Sequence, residues 1–420
     1  MKIDSLELKN FRNFEDATFH FPTNFTVVIG ENGKGKSSVL QGLRVAAATF
    51  LMGIDEAERY HIQKEDVRRI DLEDRFVPQR NCSFKASGIL NEKAIEWKRT
   101  LAKPSGRTDY KDAYDLINLS EELNNEVNQN LEENVNLPII SFFSTARLWV
   151  DSKQTVALKK KGSKLKDGYA RCLDDRSDKK SPMEWIKSAT WKKLKEKQES
   201  SALLQGVLEA IDTCIPHWTP TEWDEDSDDL GGNYIDPNGK KTFIPLYYLS
   251  DGLRTMAAMV ADIAYRCVVL NPHFGNEAAK LSKGIVLIDE IDMHLHPKWQ
   301  QSVTADLKKA FPNIQFIATT HSPFIVQSLT AEELINLDRL TDVDPNKLSV
   351  DEVSTNVMGL ENEYGEESHN LENLSKKYLE LLDSPKTKFS QLKLEELEAK
   401  IGDPAVRAFL NLQKLKKDTI

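Results

Sequence analysis

The sequence predicts an α/β fold: a P-loop core on a mixed, largely parallel sheet, with an inserted helical lobe and a C-terminal helical segment. Three observations carry this. An apolar strand runs straight into a glycine-rich loop at Gly30–Ser37. A second apolar strand ends in Asp289-Glu290. Strands alternate with helices between Leu246 and Thr319, the pattern of a parallel sheet whose ligands sit at its carboxyl edge.

The opening residues Ile3, Leu6, Leu8 and Phe11, then Phe14, Ala17, Phe19 and Phe21, suit two short antiparallel strands turning near Arg12-Asn13. Phe25–Ile29 is continuously apolar and is expected to be buried on both faces. A helix follows over about Lys36–Leu51, then paired strands over Cys82–Leu90 and Ala94–Leu101 and a buried strand within Leu137–Phe143. Residues 1–150 thus form a first core lobe. Residues 151–245 turn charged, with Lys159-Lys160-Lys161, Lys192-Lys193 and an acidic cluster from Asp224 to Asp229, and read as an inserted, mainly helical lobe. Each charge run is first of all a solvated face. The core resumes over 246–340 with a helix from Asp251 to about Val268, a strand over Gly284–Ile288, a helix from Pro297 to about Ala310 and a strand over Ile314–Thr319. In the helical region 341–420, Leu394, Leu397 and Ile401 share a face, Gly402 can close that helix and Asp403-Pro404 can open the next.

With 420 residues, 40% hydrophobic and 29% charged, the chain has material for two or three globular domains. No apolar run approaches the roughly 18 residues that span a bilayer, so a cytoplasmic protein with no membrane partner is expected. Cys82, Cys172, Cys214 and Cys267 lie far apart, without metal-ligand spacing. A net charge of -10 argues against a generally basic nucleic-acid-binding surface and leaves local DNA contacts open.

In Gly30-Glu31-Asn32-Gly33-Lys34-Gly35-Lys36-Ser37 the glycines let the backbone wrap phosphates, and the following helix adds the partial positive charge of its amino terminus. Lys36 is placed to reach the terminal phosphates, and Ser37 offers a hydroxyl to magnesium. Asp289 would complete the magnesium shell, and Glu290 would polarise the attacking water. His321 follows another apolar strand, where it can reach a terminal phosphate or merely cap a helix. Ser250 and Asp251, ahead of an amphipathic helix, are by themselves only good caps. His294 and His296 lie close to Asp292, but Pro297 starts a helix there and the neighbouring carboxylates already have a magnesium role.

In this order, P-loop, Ser-Asp-Gly helix, Asp-Glu strand and strand-histidine, the chain resembles the ABC-type ATPases grouped with the RecF, SMC and OLD proteins. Leu8–Phe14 looks like their opening strand, Gly30–Ser38 like Walker A, Leu249–Gly252 like the signature, Asp289-Glu290 like Walker B, Leu295-His296-Pro297 like the D-loop and His321 like the switch histidine. The resemblance implies ATP and Mg2+ as cofactors. It puts Arg12, Gly30, Glu31, Asn32, Gly33, Lys34, Gly35, Lys36, Ser37 and Ser38 around ATP, with Ser37 and Asp289 at the metal and Glu290 and His321 in catalysis. It implies a head-to-tail homodimer, so that Ser250, Asp251 and Gly252 of one copy face the nucleotide of the other, beside His296.

Within that group, Phe142–Trp149, Gly168–Asp174, Asn356–Leu360 and the closing helices are similar to the ATPase subunit of Septu anti-phage systems and its retron-associated relatives. This implies a regulatory and scaffold ATPase for a partner HNH nuclease, PtuB in Septu, with DNA reached through the complex. A RecF-like repair ATPase is the alternative, and less so an OLD-type nuclease, which would need a further domain after His321.

Overall fold

The computed structural model describes Met1 to Asp418 apart from residues 73–74, 130–133, 149–162, 176–179, 195–197, 216, 236–238, 339–342, 361–365, 384–392, 395, 399 and 402–403. Lys159-Lys160-Lys161, Trp149 and the Gly402-Asp403 helix break lie outside the described residues. Two compact units are present, Met1–Val353 and Ser354–Ile420.

The mixed character expected of the core is divided between two sheets in the first unit. β1 (Lys2–Phe11), β2 (Phe14–His20), β6 (Cys82–Leu90), β7 (Lys93–Leu101) and β8 (Thr108–Asp109) form an antiparallel sheet in the order β2-β1-β6-β7-β8. The hairpin of β4 (Arg69–Leu72) and β5 (Arg75–Pro78) stands beside it. The second sheet is wholly parallel, in the order β15-β3-β14-β13-β9, from β3 (Phe25–Ile29), β9 (Ile139–Phe143), β13 (Gly284–Ile288), β14 (Ile314–Thr319) and β15 (Leu334–Asn336). Every residue of β3, β9, β13 and β14 is buried, which is why these strands read as unbroken apolar runs.

Helix α1 (Lys36–Leu51) lies between the sheets, touching β1 and β6 on one side and β13 and β14 on the other. It is therefore buried nearly all round, and Ser37 is its one exposed residue. Further along come α2 (Tyr114–Gln129), α3 (Lys164–Tyr169), α4 (Lys180–Leu194) and α5 (Gln198–Cys214). Helices α3, α4 and α5 pack on α6 (Asp251–Leu270), whose buried face also covers β9.

The structure adds to the sequence-based expectations at three points. The 151–245 segment is not mainly helical throughout: β10 (Trp218–Asp224), β11 (Asp229–Ile235) and β12 (Lys241–Pro245) make a three-stranded antiparallel sheet. Its acidic cluster is the β10–β11 turn, where the Asp224 carboxylate accepts from the backbone N–H groups of Asp226 and Ser227. Pro220, Gly231 and Gly232 mask the strand pattern. The helix expected from Pro297 to Ala310 is two pieces, Pro297–Gln300 and Val303–Ala310. Strand β15 was unseen, being three half-buried residues on the free side of β3. The second unit holds helices Glu366–Asp383 and Pro404–Asp418 around Tyr378, Leu394, Ile401 and Leu410. Among the described residues no helix is long and apolar enough to cross a membrane.

Candidate nucleotide site

The P-loop leaves β3 at Gly30 and enters α1 at Lys36. Gly30, Gly33 and Gly35 take φ values of 153°, 85° and 106°, which only glycine adopts without strain. At Gly35 a side chain is excluded a second way, since a Cβ would come within 2.7 Å of the Phe14 ring. No side chain caps α1, so its first N–H groups remain available to an anion. The Lys36 ammonium donates to the carbonyls of Gly30 at 2.7 Å and Glu31 at 3.1 Å, holding the loop closed on itself. Burial lowers the Lys36 pKa, while Asp338, Asp289 and Glu290 pull it the other way.

Asp289 and Glu290 follow β13. The Ser37 hydroxyl donates to Asp289 Oδ2 at 3.2 Å, and the Thr319 hydroxyl at the end of β14 donates to Asp289 Oδ1 at 2.6 Å. The same Thr319 oxygen accepts from the Glu290 backbone N–H at 2.8 Å, and the Asp289 N–H donates to the Phe143 carbonyl at 2.8 Å. Three parallel strands thereby fix the acidic pair. Glu290 has φ 51°, a conformation uncommon for a residue with a side chain.

Two further residues hold the loop, neither of them among the expected site residues. Asn13 bridges the first β-turn to the P-loop, its Nδ2 donating to the Gly33 carbonyl at 2.5 Å and its Oδ1 accepting from the Ser38 hydroxyl at 3.3 Å. Asp338, just after β15, accepts from the Glu31 N–H at 2.7 Å and stands 3.6 Å from the Lys34 ammonium. The proximity of Asn13 to Arg12 in the opening turn was a usable signal; Asp338, 307 residues from Glu31, gave none. Arg12 itself is half-buried and donates through Nε to the buried Asp66 carboxylate at 2.9 Å, which tethers it beside the loop.

The signature turn and the D-loop meet within one chain. Ser250 stands at the N-cap of α6 and is exposed, yet its hydroxyl makes no capping bond. Asp251 pairs with Arg254. Gly252 is pressed against the D-loop: a Cβ there would lie 2.1 Å from the His294 carbonyl oxygen. Among the described residues no hydrogen bond or ion pair joins Ser250, Asp251 or Gly252 to residues 30–38. Gly252→Ala is thus expected to displace the 294–295 backbone and to lower the melting temperature by several degrees, in the range of overpacking costs of about 1–3 kcal/mol. Thermal unfolding checks this; an unchanged melting temperature would mean that the two turns are not in contact.

The histidines separate. His296 caps the helix Pro297–Gln300, its Nδ1 accepting from the Lys298 N–H at 3.2 Å. His321 is exposed and caps nothing, because Ser322 caps the following helix Pro323–Gln327.

Residues 1–326 match the family described as AAA ATPase domain. The chain belongs to this family. As an AAA ATPase domain protein it is similar to "Retron Vc95 probable ATPase" of Vibrio cholerae serotype O1 biovar El Tor, at 26% identity over 410 residues, 81% of this chain and 74% of that protein. It is also similar to "Septu protein PtuA" of Bacillus thuringiensis, at 34% identity over 170 residues, 37% of this chain and 38% of that protein. Among solved structures it is similar to the SmcHead bound to the C-winged helix domain of ScpA, at 15% identity and a TM-score of 0.45, over 80% of this chain and 94% of that one.

For an AAA ATPase domain the residues present fit a nucleotide and its magnesium ion. The uncapped helix end and the glycine loop suit phosphates, and Ser37 and Asp289 offer paired oxygen donors of the kind magnesium takes. Ser37 and Asp289 would hold the ion, which supplies charge neutralisation at the phosphates.

Proposed function

We propose that this chain binds and hydrolyses ATP as the regulatory and scaffold subunit of a prokaryotic anti-phage defence complex of the Septu kind. In this reading ATP with Mg2+ joins two copies head to tail, and the state of the pair sets what a partner HNH nuclease does. The observation that carries the composite site is Ser250: its hydroxyl is exposed at the amino end of a 20-residue helix and unused as a cap, so both it and the helix dipole are free to meet a phosphate held by another copy. Lys36 and Ser37 of one copy hold the nucleotide, and Glu290 and His321 of that copy stand ready to orient water. Ser250, Asp251 and Gly252 come from the second copy. The likeness to the retron and Septu relatives supports the defence role. ATP needs only to bind the paired state better than the open one to act as the switch.

The test of the partner is direct. The tagged protein is expected to copurify with an HNH nuclease encoded beside its gene. A neighbouring recombination gene with no copurifying nuclease would contradict the defence reading and favour a RecF-like role.

A further inference from the structure

The end of β14 carries two consecutive buried threonines with different partners. Thr319 holds Asp289 and the Glu290 N–H. Thr320, 1% exposed, donates its hydroxyl instead to Asp292 Oδ1 at 2.5 Å, and the Thr320 hydroxyl oxygen accepts from the Ser322 N–H at 3.0 Å. Asp292 lies three residues before the D-loop, and its carbonyl accepts from the Leu295 N–H at 3.0 Å. A second tie runs in parallel: the Ser322 hydroxyl donates to Gln300 Oε1 at 2.7 Å, and Gln300 Nε2 donates to the Leu295 carbonyl at 2.8 Å.

The segment between these ties is held in an uncommon shape. His294 within it has φ 61°, and Glu290, two residues before Asp292, has φ 51°. The His294 carbonyl then rests on Gly252, where no side chain fits. A continuous path of contacts therefore leads from the strand end that presents His321, through Thr320 and Asp292, to the signature turn of the same chain.

We propose that Thr320 and Asp292 form a latch that positions the D-loop and, through His294, the signature turn, so that one copy's switch strand sets the geometry presented to the neighbouring copy's nucleotide. They are positioning residues. Their effect falls on the site completed in trans and spares the P-loop of their own chain. This rests on the head-to-tail reading above.

The test uses hybrids of full-length chains, with ATP hydrolysis as the readout. Lys36→Ala and Ser250→Arg are each expected to be inactive alone, and their mixture is expected to turn over at the one site that pairs an intact P-loop with an intact signature. Thr320→Val is nearly isosteric and Asp292→Ala removes the other half of the latch. Either is expected to keep wild-type ATP affinity and lower the turnover number at least tenfold, with Thr320→Ser restoring it.

Placing Thr320→Val in the Ser250→Arg chain makes the altered latch belong to the copy that supplies the intact P-loop. Placing it in the Lys36→Ala chain makes the altered latch belong to the copy that supplies the signature. Turnover is expected to be preserved in the first mixture and lost in the second. Loss confined to the first mixture, equal loss in both, or no loss in either overturns the latch while leaving the composite site intact. An inactive parent mixture, with neither substitution at Thr320, overturns the head-to-tail reading and the latch with it. Melting temperatures close to wild type for Thr320→Val and Asp292→Ala separate positioning from unfolding.

Discussion

Lys36→Ala is expected to remove ATP binding while leaving the fold intact. The Lys36 side chain is largely buried and, among the described residues, its ammonium bonds to the Gly30 and Glu31 carbonyls, so in the nucleotide-free chain it bears a desolvation cost. Removing it relieves that cost. With ATP present, the same group is the charge in the loop closest to the expected position of the terminal phosphates. Charge-assisted hydrogen bonds contribute about 1.5–3 kcal/mol each, so losing one or two weakens affinity by roughly one to four orders of magnitude. Calorimetric titration with MgATP, alongside thermal unfolding, checks both halves: no measurable heat of binding and an unchanged melting temperature. Wild-type affinity in Lys36→Ala would remove the P-loop from nucleotide binding.

Glu290→Gln is expected to keep MgATP affinity within a few-fold and to lower turnover by about 10²–10⁴, the usual contribution of a general base. Glutamine preserves the shape and leaves the backbone bond from Glu290 N–H to Thr319 unaffected, so the left-handed turn stays in place. What is lost is the carboxylate charge that would polarise water. The substituted chain should therefore accumulate in its ATP-bound state, visible as ATP retained through rapid gel filtration in place of ADP. Hydrolysis at the wild-type rate would take Glu290 out of the reaction. The two substitutions thus divide binding from chemistry at neighbouring points of one sheet edge.

Much of this site was legible before the structure. Gly30–Ser37 follows a strand and opens a helix, and the strand limits Gly284–Ile288 and Ile314–Thr319 coincide with those read from the sequence. Strands buried on both faces leave unbroken apolar runs, and phosphate loops need glycine at fixed spacing; both are local signals. The missed features are non-local or locally disguised. Asp338 reaches Glu31 across 307 residues, and the packing of Gly252 on His294 depends on how a helix start meets a turn some forty positions later. The sheet of β10, β11 and β12 was hidden because its strands are short, polar and interrupted by proline and glycine. Ser250 shows the opposite case. Its sequence context allowed a plain helix cap, and only the geometry reveals that the hydroxyl is not used that way.

The composite site is tested most directly by ATP hydrolysis in an equimolar mixture of Lys36→Ala and Ser250→Arg chains, each inactive alone. Restored turnover in the mixture is expected, because one copy then supplies the P-loop and the other the signature. Full activity of Ser250→Arg by itself, or a mixture as inactive as its parts, would contradict a site shared between two copies.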